Sequence, residues 1–268
     1  MNATISKIRI YPIKSLGHIE LNEAEIGTHS LKDDRRFAMV DHTGRYVNGK
    51  RLSKVNQLKT VYDLTNNTIT LGGRESEYHQ TFELVEGNEK LDQFLSEFFD
   101  LPINLKENFS GDFMDIPKVS SLTIVSESSL KALQKDINRH SLESLRLRFR
   151  TNVELSGVEA FWEERLFQQP DVGVQFFMGD VEMIGMSPRA RCNVPPQDPF
   201  TGEMDYRFVK HMVESRNQHT LSAKDLEAYG RTTYFLTVIV YLPKSQAGKI
   251  LKVNDKIEII KPVSLSMV

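Results

Sequence analysis

The chain carries one cysteine in 268 residues, Cys192. It lies in Ser187-Pro-Arg-Ala-Arg-Cys-Asn-Val-Pro-Pro-Gln-Asp-Pro-Phe-Thr-Gly202, a polar, basic, turn-forming stretch with Arg189 and Arg191 just before the sulfur. A cysteine kept for packing usually sits among apolar residues and behaves as a small hydrophobe. Nearby positive charge instead favours the thiolate, which is both nucleophile and metal ligand. One presented sulfur is therefore the first chemical feature of the chain. The acid closest to it in sequence is Asp198, which is either a proton donor or substrate contact, or simply the cap of the turn through Pro199 to Gly202.

Several other segments carry groups suited to anions. Lys14-Ser15 follows the first apolar run, where an ammonium and a hydroxyl at a strand end can hold a phosphate. Asp33-Asp34-Arg35-Arg36 precedes a strand, and alternation sends the two arginines to opposite faces. Ser126-Glu-Ser-Ser129 opens a helix, where free amides suit an anion or the serines merely cap. Arg146, Arg148 and Arg150 alternate in Leu145-Arg-Leu-Arg-Phe-Arg150; read as a strand, all three share one face and call for anions or carboxylates. Each segment alone has a plain reading: a solvated turn at Lys14-Ser15, a surface ion-pair cluster at Asp33–Arg36, a helix cap at Ser126–Ser129, and pairing with surface carboxylates for Arg146, Arg148 and Arg150.

Composition closes off other chemistries. One cysteine excludes an intrachain disulfide, a zinc ribbon and a protein-held iron–sulfur cluster. The seven histidines show no metal-ligand spacing, and no Walker loop, GxGxxG turn or GxSxG elbow is present. A net charge of −2 argues against bulk attraction to nucleic acid or an anionic membrane. No apolar run is long enough for a signal peptide or membrane span, and a reducing cytoplasm is the expected setting.

The elements that must position these groups are mostly short strands. Val61–Thr65 and Thr68–Leu71 flank Asn66-Asn67, Val174–Met178 and Val181–Ile184 flank Gly179-Asp180, and Phe37–Val40 with Arg45–Val47 flank Asp41–Gly44. Tyr234–Leu242 reads as a buried strand and Ile257–Ile260 as the last one. Leu91, Phe94, Leu95 and Phe98 mark one helix, Leu130, Leu133 and Ile137 a second, and Val158, Phe161 and Trp162 a short third. The expected class is mainly β with inserted helices, α+β, in a closed or nearly closed β architecture. The boundary falls in the loop-like Asn108–Pro117, giving domains 1–117 and 118–268.

Taken in order, Tyr11-Pro-Ile-Lys-Ser15, Asp34-Arg-Arg-Phe37, Phe149-Arg-Thr-Asn152, Gly179-Asp-Val181 and Ala190-Arg-Cys192 with Asp198-Pro199 and Thr201-Gly202 resemble the motifs of MOSC proteins. The likeness covers nearly the whole chain, with an N-terminal β-barrel domain before a β-barrel MOSC domain, and is nearest in function to the mitochondrial amidoxime-reducing components and their bacterial counterparts. It implies a molybdenum cofactor, a pyranopterin dithiolene carrying molybdenum, with Cys192 as the protein ligand. Lys14, Ser15, Arg35, Ser126, Arg150, Asn152, Arg191 and Tyr234 would bind the cofactor. Ala190 stands where the family often has serine.

The resemblance implies a reductase of small N-hydroxylated compounds, with electrons from a separate ferredoxin, flavoprotein or cytochrome b5 type donor and no nucleic-acid or membrane partner. Two alternatives remain: a cofactor carrier or sulfur-transfer module using Cys192, and a metal-free cysteine hydrolase or transferase, which needs a histidine beside Cys192 in space.

Overall fold

The segment after Ile10 breaks into turns because Pro12 cannot extend a ladder, so the first strand ends where the first candidate site residues begin. The computed structural model describes residues 3–111, 113–117, 119, 121–219 and 233–267. In the first half lie β1 (Thr4–Ile10), β2 (Ile19–Leu21), β3 (Glu23–Glu25), β4 (Phe37–Asp41), β5 (Leu58–Asp63), β6 (Thr68–Gly73), β7 (Gln80–Glu83), α1 (Glu89–Phe99) and β8 (Ile103–Glu107). The second half holds β9 (Ser121–Ser126), α2 (Glu127–Ile137), α3 (Leu142–Phe149), β10 (Val153–Ser156), β11 (Val172–Met178), β12 (Val181–Ala190), α4 (Phe208–His219), β13 (Phe235–Tyr241), β14 (Ile250–Lys252) and β15 (Ile257–Ser264).

Eight strands make the main sheet in the order β15-β11-β12-β13-β9-β10-β1-β2. All neighbours are antiparallel except β9 and β10, whose parallel pairing needs the crossover that α2 and α3 supply. The near-continuous apolar run of β13 follows from its central place, where both faces are covered. The ladder does not close. The start of β1 is stitched to the residues leading into β15 by a Thr4–Lys256 bridge, by Ile257 N donating to the Ala3 carbonyl and Ile5 N to the Asp255 carbonyl, each at 3.0 Å, and by Asn254 N donating to the Ile5 carbonyl at 2.8 Å. The mainly β character matches the sequence reading, but no sheet among the described residues is a closed barrel.

Three cores follow. One fills the concave side of the main sheet around Ile5, Ile8, Ile124, Leu155, Phe176 and Val240. The second packs α1 (Leu91, Leu95, Phe99) on β4, β6 and β8. The third sets α2, α3 and α4 against Val125 and Leu236. Gly185 on β12 is required by close approach: a Cβ there would stand 1.8 Å from the Leu166 carbonyl oxygen.

The chain does not divide its sheets at residue 117. β1 and β2 belong to the sheet of the second half, and β3 pairs with β14. Two local expectations are corrected. Residues 145–150 are not a strand but the end of α3 and its cap. Ser141 caps this helix, accepting from Ser144 N at 3.1 Å, and Leu145 and Phe149 bury at the i, i+4 spacing. Over six residues the period-2 pattern was equally available, but the upstream cap decides for a helix. The short third helix is a 3-10 turn at Trp162–Leu166, and α4 carried no clear apolar stripe to announce it.

Candidate functional site

Loops at the ends of β1, β4 and β8 meet loops after α3 and β12, and between them lies a cleft of about 880 Å³, including the solvent at its mouth. Lys14, Ser15, Arg35, Arg150, Asn152, Arg191 and Cys192 all line it. Lys14 and Cys192, 178 positions apart in sequence, thus share one wall system. Lys50 and Arg189 bring the cationic side chains to six, against one lining carboxylate, Asp115.

The floor is a polar hub on Asp34, a buried residue that sequence reading did not single out. Its Oδ1 accepts from Tyr11 N at 2.8 Å and its Oδ2 from Ser30 Oγ at 3.2 Å and Asn152 Nδ2 at 3.0 Å. Arg35 Nη1 reaches both oxygens, at 2.6 and 2.5 Å, which fixes its guanidinium plane. Asn152 also donates to the Arg9 carbonyl at 3.1 Å and accepts from Thr123 N and Oγ1 at 3.2 and 3.3 Å. Both its amide hydrogens and its carbonyl oxygen are thereby used inside the protein, so Asn152 positions Asp34 and Arg35.

Tyr11 lies between two guanidiniums, with Arg35 at 4.4 Å and Arg150 at 4.2 Å from its ring centre. Stacking on an aromatic face holds like charges that would otherwise repel. Burial, with the Arg35 charge beside it, pulls the Arg150 guanidinium down to about 10. Arg150 Nη2 and Arg191 Nε are buried without a hydrogen-bond partner among the described residues. A buried donor left unpaired costs free energy until a ligand accepts from it. Ser15, Arg35 and Arg150 also share left-handed backbone, with φ of 72°, 53° and 51°. Such backbone costs about 1 kcal/mol or more in a non-glycine residue and clusters at functional sites.

At the mouth, Lys14 Nζ donates to Asp115 Oδ1 at 2.9 Å and to the Phe113 carbonyl at 2.7 Å, while Arg189 Nη2 reaches Asp115 Oδ2 at 3.2 Å. Burial lowers the Lys14 ammonium and would raise the Asp115 carboxyl, but Lys14, Lys50 and Arg189 together hold that carboxyl well below the usual carboxylate range. Cys192 is exposed to the cleft. Arg191 behind it donates from Nη2 to the Phe149 carbonyl at 3.0 Å.

Three predicted residues stand off the lining. Tyr234 braces the sulfur loop, its hydroxyl donating to the Cys192 carbonyl at 3.1 Å. Ser126 is fully buried as the cap of α2, accepting from Ser129 N at 3.1 Å. Asp198 accepts from Phe200 N at 2.9 Å and Thr201 N at 3.0 Å and pairs with Arg148 at 3.4 Å, on a separate depression with His140 and Asp205. Its turn-capping role is the one the geometry supports. No histidine lines the cleft, and no group of three His, Cys, Asp or Glu suited to a metal occurs among the described residues. Among them, too, no helix is long and apolar enough to cross a membrane.

Residues 2–101 match the family described as the MOSC N-terminal beta barrel domain, and residues 115–258 the MOSC domain. Among curated proteins the chain is similar to the molybdenum cofactor sulfurases of Homo sapiens, 23% identical over 259 residues, and of Caenorhabditis elegans, 22% over 249. These alignments take in 79% and 82% of this chain but 28% and 32% of the relatives, so the chain spans about a third of their length or less. Among solved structures, the YUAD protein from Bacillus subtilis aligns over 97% of this chain and 96% of its own at a TM-score of 0.40 and 11% identity. The MOSC match alone takes in more than half of the residues, among them Asp115, Arg150, Arg189, Arg191 and Cys192 of the cleft, and the chain belongs to the MOSC domain family.

Proposed function

We propose that the cleft holds a molybdenum cofactor and that the chain is a reductase of N-hydroxylated compounds. The observation that carries this reading is the pairing, in one cleft, of an exposed soft sulfur with two buried cationic donors, Arg150 Nη2 and Arg191 Nε, that have no hydrogen-bond partner among the described residues. Thiolate suits molybdenum, and guanidinium and ammonium groups suit a terminal phosphate and the pterin edge. The residues present therefore fit the group. Likeness to proteins named for this cofactor points the same way.

When bound, the cofactor supplies the two-electron chemistry that removes the oxygen of an N–OH group. Cys192 would be the protein ligand to the metal. Arg35 and Arg150, spaced by Tyr11, would take the anionic end, while Lys14 and Ser15 close the near wall. Asn152 and Asp34 keep Arg35 in one orientation, and Tyr234 holds the main chain that carries the sulfur. A separate ferredoxin, flavoprotein or cytochrome b5 type protein would supply the electrons.

The test is molybdenum content with extracted-pterin fluorescence, on protein from a cofactor-producing host, beside Cys192→Ala. Near-stoichiometric metal and pterin in the parent, with metal lost in the variant, is the expected result, followed by turnover of an amidoxime or hydroxylamine. Well-folded parent protein without either would sink the reading. The similarity to molybdenum cofactor sulfurases favours one second reading, a cofactor carrier or sulfur-transfer module. It predicts loosely held cofactor and a persulfide on Cys192 instead of turnover.

A further inference from the structure

The carboxylates of the cleft are of two kinds. Asp34 is locked: it is buried and saturated by Tyr11 N, Ser30, Asn152 and Arg35. Asp115 is not. Its side chain is 51% exposed, and among the described residues it meets only two groups, both cations. One oxygen faces Lys14, from the loop after β1, and the other faces Arg189, on β12. No backbone amide among the described residues fixes it.

We propose that Asp115 is a built-in stand-in for an anionic ligand: its carboxylate bridges Lys14 and Arg189 across the mouth, and an entering phosphate-bearing ligand displaces it. This rests on the reading of the cleft as an anion site. The physical case is one of matched donors. A carboxylate and a phosphate compete for the same ammonium and guanidinium hydrogens, and the ligand carrying more charge and more acceptor oxygens wins. The carboxylate is half exposed and held by no backbone amide among the described residues, so it can swing into water when a stronger anion takes its two less exposed cations. Meanwhile the bridge keeps two cations from repelling each other and makes the cleft reject weak monoanions. Arg150 and Arg191 pair with no carboxylate among the described residues, so they meet the ligand first.

The experiment is titration calorimetry of inorganic phosphate into cofactor-free full chain, purified from a host that does not make the cofactor, and into Asp115→Asn. The variant should bind more tightly, by roughly threefold or more, because two ion pairs no longer have to be broken. Equal or weaker affinity in the variant overturns the proposal while leaving the anion site standing. Binding by neither protein, with both folded by circular dichroism, overturns the anion reading itself and the proposal with it. Should Asp115→Asn fail to fold, Asp115→Ser replaces it. In the parent, phosphate saturation should quicken amide exchange at residues 113–116 as the bridge to Lys14 opens; slower exchange there would also overturn it.

Discussion

Replacing Arg150 by methionine should make the ligand-free protein more stable and the liganded one weaker. The guanidinium is drawn down to about 10 from its ordinary 12.5, chiefly by burial. At 1.36 kcal/mol per pKa unit this is a penalty of about 3 kcal/mol carried by the cation while nothing pairs with it. Water reaching the cleft reduces that to roughly 2 kcal/mol. Stacking on Tyr11 at 4.2 Å returns about 0.5–1 kcal/mol, which methionine forfeits. The left-handed backbone at position 150 strains methionine and arginine alike. The net gain is about 1–1.5 kcal/mol, a rise in melting temperature of about 2–5 °C for a chain of this length. Phosphate affinity should fall about 10- to 100-fold, since each charge-assisted hydrogen bond contributes about 1.5–3 kcal/mol. Calorimetric melting of cofactor-free protein reads the first quantity, and isothermal titration of phosphate the second. A variant that melts lower than the parent would refute the reasoning, because the buried cation would then be holding the fold together instead of waiting for a ligand.

Tyr11→Leu should weaken phosphate binding about tenfold by removing the ring between the two guanidiniums, whereas Tyr11→Phe, which loses only a 3.4 Å hydrogen bond to the Thr151 carbonyl, should bind as the parent does; equal loss in both would count against the stacking argument. His18 is lowered to about 4 by burial, with Arg9 and Arg150 adding to the effect. The unfolded chain therefore takes up a proton between pH 6.5 and 4 that the folded chain refuses, and stability present above that window is lost as pH falls through it, by up to about 3 kcal/mol. His18→Gln should flatten this slope in urea titrations, and an unchanged slope would assign it elsewhere. Gly185→Ala should destabilise by about 2–3 kcal/mol or more, because its methyl would meet the Leu166 carbonyl oxygen; a melting temperature within a degree of the parent would contradict the close approach.

The sequence made the site more legible than its supports. Lys14, Ser15, Arg35, Arg150 and Arg191 carry groups that suit anions by type, but only the order of their motifs along the chain drew them into one site, while Cys192 stood out because it is single and flanked by arginine. Asp34 and Tyr11 escaped notice since their importance lies in contacts across 118 and 139 residues, to Asn152 and Arg150, which no local pattern encodes. Asn152 was placed correctly on the cleft, but its type suggested ligand binding, and only the partners of its amide reveal a scaffold role. Ser126 shows the reverse case, a hydroxyl spent on its own helix. The hairpin around Gly179-Asp180 stands as read, since a two-residue turn is written locally, whereas the one at Asn66-Asn67 pairs Asp63 with Thr68 and turns through four residues, 64–67. The arginine run at 146–150 was misread because six residues satisfy two periods, and Ser141, five positions upstream of Arg146, settles the choice.

The placement of β1 has a consequence for how the molecule comes into being. Thr4–Ile10 is hydrogen-bonded to Val153–Ser156, so the first strand made by the ribosome has no partner on that edge until roughly 150 later residues have emerged. Closing so long a loop is slow, and contacts of this separation lower the folding rate. The loop that presents Lys14 and Ser15 hangs directly from that strand. The cleft is therefore the product of a late step, and the apolar residues Ile5, Ile8 and Ile10 stand exposed through the interval before it. A cofactor could be captured only by a finished chain, which makes synthesis itself the first checkpoint on loading.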